Sequence, residues 1–366
     1  MRTLIIIVLS CMLVACVNTN RVKTQQPIVL DEISETIKFS EVKLVPLETN
    51  ENILLGGDLT LKLRDNDMYI FDRSHQRCVL AFDTNGKFKT KIGRWGKGEG
   101  EYDNFNDFSL GKDEVDILAG KGESSMIYRY DYSGQFLGKK EISYAAFSLQ
   151  NGNDSELIVG TGYNSACHAN RLYILSKEGK ELEKLLPNTT DLNIPVIENT
   201  LSEFDGDIYY HESFNDTVYT LEDHKLQPAL IFDFGKYAIP SEFYSSDLMT
   251  GFELINKHGF ANITKYYGND DLALVEVRKQ KMGADPLAHL VLVDRVDHHS
   301  SQLQYKPNDN SIFKNPMGLT DDNEIVFIIH PNMLQANADF FKQYGINVSE
   351  ETYSLEDNPI VAFCKI

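Results

Sequence analysis

The sequence predicts an all-β protein: a six-bladed β-propeller of four-stranded blades, with small helical insertions. Three observations predict it. Six times a short turn of Asp, Asn or Gly runs straight into an apolar strand, with Asn66, Asp113, Asn153, Gly206, Asp270 and Asp322 as markers. These markers stand 40 to 64 residues apart, and a repeat near that length holding several strands is the period of a propeller blade. Apolar strands also end at Asp83, Asp131, Ser176 and Glu222, spaced 45 to 48 residues. Third, the 366 residues are 42% hydrophobic and 11% aromatic, enough for a sizeable core.

The first residues stand apart from this pattern. Leu4 to Val14 is apolar except for Ser10. A spanning helix needs about 20 apolar residues, so this run reads as the h-region of a signal peptide over residues 1–15. It ends in Leu13-Val14-Ala15-Cys16, which resembles the bacterial lipobox. The resemblance implies cleavage before Cys16 and lipid on that residue, so that the membrane is a partner through the N-terminal lipid. Val17 stands where an Asp would resemble an inner-membrane retention signal. The outer membrane is therefore expected, with either its periplasmic or its surface side open. Residues 16–40 read as the lipidated Cys and a flexible polar tether, and residues 41–366 as the propeller.

Within each unit the expected order is inner strand, short turn, second strand, loop, third strand, Gly turn, outer strand. Gly86, Gly134 and Gly179 supply the positive φ of the Gly turn. His224 takes that place in the fourth unit and predicts a looser turn there. Between units four and five, Phe243, Leu248, Phe252 and Ile255 recur at helical spacing, so Ser241–His258 is expected as one or two helices. Asn332–Tyr344 is a second expected helix, in unit six. The last strand is Ile360–Ile366, and Val42–Leu47 is expected to supply the outermost strand of that blade, leaving no free edge.

Unit one carries a further pattern. Met68-Tyr69-Ile70-Phe71-Asp72 leads through a polar turn to Arg77, then to Phe82-Asp83-Thr84-Asn85-Gly86, then to the connector Gly93-Arg94-Trp95-Gly96-Lys97-Gly98-Glu99-Gly100. This resembles an NHL repeat. The whole chain resembles the six-bladed β-propeller lipoproteins of Gram-negative envelopes, departing from a regular NHL array in units four to six.

Net charge is −19, which excludes nucleic acid as a partner, since phosphate binding needs a basic surface. Strand order assigns the loops. Turns between first and second strands, and between third and fourth, share one short, acidic face. The other face holds the longer loops and nearly every unusual residue. The ligand-binding candidates there are Arg73, His75, Arg94, Trp95, Tyr163, His168, His211, Arg278 and His330. Each has a plainer reading. Arg73 and Arg77 are expected to pair with Asp72 and Asp83, and Trp95 either caps the core or offers a stacking platform. A cluster of Arg73, Arg94, Arg278 and Trp95 on an acidic protein would favour an anionic or sugar-rich ligand.

No catalytic residue, metal site or cofactor is assigned. The acidic turns lack the calcium-loop order, and Cys167 and His168 point to opposite faces if they lie on a strand. Cys78 and Cys364 read as small buried hydrophobes. The expected function is a cell-envelope binding or assembly module for a glycan, peptide or protein. The alternative is a glycan- or lactone-acting hydrolase or lyase in the channel mouth, for which the inner strands offer no repeated His or carboxylate.

Overall fold

The computed structural model describes residues 26–152, 155–189, 194 and 200–366. The signal peptide, Cys16 and the turn at 153–154 lie outside the described residues. Six antiparallel four-stranded sheets form the ring. Blade one is Leu59–Arg64, Asp67–Asp72, Val79–Phe82 and Phe88–Ile92. Blades two to five repeat this order within residues 107–142, 148–187, 201–233 and 260–305. In blade six Pro316–Leu319, Glu324–Ile329 and Ile360–Lys365 are completed by Glu41–Pro46, with Val361 opposite Val45. The two ends of the propeller thus close it in one sheet, as expected.

The core lies between neighbouring blades. Met68, Ile70, Leu80 and Phe82 of blade one pack on Val326, Ile328 and Val361 of blade six. Comparable apolar layers join the other neighbours, such as Leu274 and Leu290 with Phe327 and Ile360 between blades five and six. Strands in such a layer are covered on both faces, which is why Met68-Tyr69-Ile70-Phe71 is a continuous apolar run rather than an alternating one.

Inner strands are tied across blades by side chains. The Asp107 carboxylate accepts from the Leu149 amide at 2.9 Å, and the Ser109 hydroxyl from the Asn151 amide at 2.8 Å. Arg64 donates to the Leu110 carbonyl, and Lys265 and Tyr267 both donate to the Pro316 carbonyl. Asp107 is therefore occupied in holding blade three to blade two.

Three expectations are corrected. Residues 28–40 are not a free tether: Ile28–Val29 adds a parallel fifth strand to blade four, and Glu35–Thr36 does the same for blade five. Leu30 and Ile37 between and after them are buried at 1% and 5% exposure, which anchors the strap. The turn at His224 is tight rather than loose. Glu222 pairs directly with Lys225, and both Asp223 and His224 take positive φ, the backbone of a two-residue hairpin. The His224 Nε2 also meets Glu156 at 2.8 Å, which fixes a ring that would otherwise suit this conformation poorly. Finally, Asp72 does not pair with Arg73. Its fully buried carboxylate accepts from the amides of Gly56, Ser74, His75 and Gln76 and from the Ser74 hydroxyl.

The expected helices are present. Helix α1 (Ser241–Ser245) and helix α2 (Leu248–His258) follow blade four, and α3 (Pro331–Ala336) and α4 (Ala338–Lys342) lie within blade six. The Asp247 side chain caps α2 by accepting from the Met249 and Thr250 amides. Phe243 and Ile255 drive the insertion into an apolar cluster with Tyr163, Phe214 and Phe260. Among the described residues no helix is long and apolar enough to cross a membrane.

Candidate functional site

The antiparallel registers place the short turns on one face of the ring and the longer loops on the other. A central channel of about 1180 Å³ runs between them. At the short-turn end it is lined by Asp65, Asn66, Asp321 and Asp322. At the long-loop end its lining includes Arg73, His211, Arg278, Lys314 and His330, with Asp58 and Glu276. The channel is therefore acidic at one mouth and mixed, with an excess of basic groups, at the other.

Blade five supplies most of the polar wall. Its inner strand Phe260–Gly268 shifts register between Ile263 and Lys265. The bulged residue is Thr264, and such a bulge re-aims side chains. Thr264 and Lys265 both turn toward Glu276 of the neighbouring strand. The Glu276 carboxylate is fully buried and accepts from the Thr264 hydroxyl, the Tyr305 hydroxyl and Arg278, the last at 3.2 Å. Burial resists its ionisation, yet Lys265 and Arg278 beside it hold its carboxyl below the usual range. Lys265 is half-buried, and its ammonium donates to the Pro316 carbonyl at 2.9 Å. Burial pushes it down to about 8, against the pull of Glu276.

His211, at the end of the second strand of blade four, is 4% exposed. Burial pushes it down to about 4, against a hydrogen bond to the Thr264 backbone, so the ring is neutral near pH 7. Its Nδ1, and the Nε of Arg278, have no hydrogen-bond partner among the described residues. Glu212 turns away from His211. It binds Arg171 through both oxygens, at 2.8 and 3.2 Å, and accepts from Tyr210 and Asn215. Adjacent residues on extended backbone point apart, and here that separates a wall histidine from a structural ion pair.

The sequence candidates fall into three places. Arg73, His211, Arg278 and His330 line the channel together. Arg73 is held by Asp58 at 3.5 Å and by the Phe105 carbonyl at 3.0 Å, with its guanidinium over the Phe105 ring. Burial, and Lys314 nearby, push His330 down. Arg94, Trp95 and His75 lie outside the channel on blade one and are exposed. Trp95 is 39% exposed, meets Tyr102 edge-on and carries the Arg77 guanidinium 4.6 Å from its ring centroid. It is neither a closed cap nor a bare platform, and the expected cluster of Arg73, Arg94, Arg278 and Trp95 does not assemble.

Tyr163 and His168 are packing residues of blade three. Arg171 stacks on Tyr163 at 4.8 Å. The His168 Nε2 accepts from the Ala145 amide at 2.9 Å, and burial lowers its pKa. Cys167 beside it is exposed, whereas Cys78 and Cys364 are buried.

Lys265, Thr264, Glu276 and Tyr305 were missed by the sequence reading. Their signal was present but faint: a Glu inside Leu272-Ala273-Leu274-Val275-Glu276-Val277 interrupts an apolar run with a charge that burial must pair.

Among solved structures, two illustrate the likeness of fold. A protein of Bacteroides fragilis NCTC 9343, described as exported, superposes with a TM-score of 0.71 at 16% identity, covering 93% of this chain and 98% of its own. A member of the DUF4221 family from Bacteroides vulgatus ATCC 8482 gives 0.57 at 10% identity, covering 89% and 98%. At these identities the likeness is one of fold. No curated protein matches the chain. The family model described as "Domain of unknown function (DUF4934)" matches residues 16–365. The chain therefore belongs to the DUF4934 family.

Proposed function

We propose that this protein is an exported, lipid-anchored envelope protein whose propeller is a binding module. It takes a glycan, peptide or protein partner at the long-loop mouth of the channel. The observation that carries this reading is the asymmetry of the channel: one mouth carries the acidic turns Asp65-Asn66 and Asp321-Asp322, and the other gathers Arg73, His211, Arg278, Lys314 and His330. Aromatic and Arg side chains dominate binding where a partner covers them.

Export is supported by the apolar run ending in Leu13-Val14-Ala15-Cys16 and by the Bacteroides fragilis protein of like fold. The outer membrane is the proposed anchor site because Val17 follows Cys16. Labelling cells with a clickable fatty acid tests the anchor. Label on the wild type and none on Cys16→Ala is expected, and equal label on both refutes it.

The hydrolase or lyase alternative has less support. Glu276, the fully buried carboxylate on the channel wall, is already engaged by Thr264, Tyr305 and Arg278. Screening the purified chain on glycan and peptide arrays tests the binding reading. Arg73→Ala with Lys314→Ala should abolish the array signal, and Asp65→Ala with Asp322→Ala should leave it. The reverse pattern would place the working surface on the other face.

A further inference from the structure

The chain that follows Cys16 meets the propeller at one corner. Gln26 is the first described residue, and Ile28–Val29 pairs beside Phe232 and Asp233 at the end of blade four. Leu30, Phe234 and Tyr237 share one apolar cluster there. Asp31 is bound by Lys279, whose ammonium also lies 5.1 Å from the Tyr237 ring centroid. A Cβ at Gly259, the C-cap of α2, would stand 3.0 Å from the Tyr237 ring. The entry of the chain and the end of α2 are therefore one packed unit.

Helix α2 buries Gly251 and Ile255 and leaves an apolar flank open. Positions 248, 249, 252 and 256 fall within one arc of about 100°. Leu248, Met249 and the half-buried Phe252 fill the first three. The Asn256 carbonyl accepts from the Met282 amide at 2.8 Å, which sets Met282 at the end of the flank. Met249 is 79% and Met282 63% exposed, and unbranched thioethers adapt to an irregular or fluid partner. Exposed Lys236, Lys257 and Lys281 are nearly balanced by Asp233, Glu242, Asp247 and Glu253. Among the described residues, none of 234–258 or 280–286 lines the channel.

We propose that this flank docks on the surface of the bilayer that holds the lipid, with Leu248, Met249 and Met282 set among the headgroups and first methylenes. The proposal rests on the lipid-anchor reading above and adds how the propeller sits. From Cys16 to Gln26 the chain reaches at most about 36 Å when fully extended, so the corner of blades four and five stays close to the membrane. A tether of this kind holds the flank at an effective concentration of about millimolar, so a small apolar area suffices for contact. With charge nearly balanced, the apolar side chains are the source of that contact. The channel, lined by none of these residues, stays open to its own partner.

The test uses the intact lipidated protein in phosphatidylcholine vesicles, with a single tryptophan as reporter. Trp95 is the only tryptophan of the chain, and it lies between blades one and two, across the ring from α2. Trp95→Phe with Met249→Trp reports on the flank. Trp95→Phe with Val296→Trp reports on the short-turn face, where Val296 is 84% exposed. Dibrominated phosphatidylcholine should quench position 249 at least about twofold and leave positions 95 and 296 unchanged. The quenching should survive high salt, which screens charge but not apolar contact. Adding Met282→Asp should remove most of it while leaving the melting temperature unchanged. Absence of quenching at 249, equal quenching at all three positions, or quenching indifferent to Met282→Asp overturns the docking. Loss of quenching in high salt overturns the apolar contact. A dimer in detergent that Met282→Asp dissolves assigns the flank to a second copy and overturns the docking too. The mass of the N-terminal peptide of the same protein judges the anchor separately. A peptide without lipid refutes the anchor and the docking built on it, whereas lipidated protein with position 249 unquenched refutes the docking alone.

Discussion

Replacing Asp72 with Asn tests how the long-loop face is held. The Asp72 carboxylate is wholly buried and accepts from four backbone amides and one hydroxyl. One oxygen serves Ser74 and His75, and the other serves Gly56 and Gln76, at 2.9 and 3.0 Å. Asn keeps one acceptor oxygen and turns an N–H₂ group toward the second pair of donors. Two buried amides then lose their acceptor, at about 1–3 kcal/mol each, for a total of about 2–6 kcal/mol. The change is isosteric, so no cavity adds to it. Burial works against the charge of Asp72, but the amides of Gln76, His75 and Gly56 and the Ser74 hydroxyl outweigh it and hold the pKa below its ordinary value. A folded pKa below the unfolded one gives stability that is complete above the unfolded value, near 4, and is lost as pH falls through the folded value. Urea unfolding of the full chain at neutral pH and at several acidic pH values measures both effects. The gap between wild type and Asp72→Asn should be several kcal/mol at pH 7 and should narrow below about pH 4. A variant within 1 kcal/mol of wild type, or a gap indifferent to acid, would refute the reasoning.

Other outcomes follow from the same structure. His211, pushed down to about 4 by burial, has a folded pKa below the unfolded value of about 6.5. Its stabilising effect is therefore complete above that value and is lost as pH falls toward 4, by about 3 kcal/mol. His211→Gln should flatten that limb in unfolding measurements. Removing residues up to Ser40 strips the strap with Leu30 and Ile37, and should lower stability by a few kcal/mol, about 1.5–3 for each buried side chain. Removing residues through Leu47 should prevent folding, because it also takes the outer strand of blade six, as circular dichroism would show. Cys167 should react with a thiol reagent in the native state. Cys78 and Cys364, buried and pushed up to about 11 and about 12, should react only on unfolding.

Much of the architecture was legible because turns recur and are chemically constrained. Asp83-Thr84-Asn85-Gly86 and Asp131-Tyr132-Ser133-Gly134 announce hairpins, and Gly86 and Gly134 do take positive φ. The pairing of Glu41–Pro46 with the last strand followed from counting strands. The strap was missed because Ile28, Leu30, Ile33, Ile37 and Phe39 are scattered among polar residues, with neither helical nor strand period. Their burial depends on grooves between blades, which a local pattern does not show. The candidate site was legible in its face but not in its members. Arg73, His211, Arg278 and His330 were found because the sequence assigns them to loops, although Arg278 in fact lies within the strand Leu272–Gln280, between Asn262 and Ala288. Lys265 was missed because the inner strands were read for a motif repeated in every blade, Glu276 because it stands in the apolar second strand Leu272–Gln280, and a single bulge in blade five brings the two together. Arg94 and Trp95 share a connector that runs outside the channel, a fact set by the path of residues 93–106 and not by residue type.

Blade six unites the beginning and the end of the chain: Glu41–Pro46 pairs with Ile360–Lys365. In order of synthesis, its first strand is made before every other blade and must wait for the last residues before it has a partner. The ring cannot shut while any of the intervening chain is still to come. Contacts of such sequence separation are slow to form, and an unpaired strand left waiting is an invitation to the wrong neighbour. Glu41, Lys43 and Pro46 in that strand make it a poor template for other edges. Under the export proposed above, in which the chain crosses a membrane as an extended thread, delayed closure would have a use. The ring locks only when its final strand arrives.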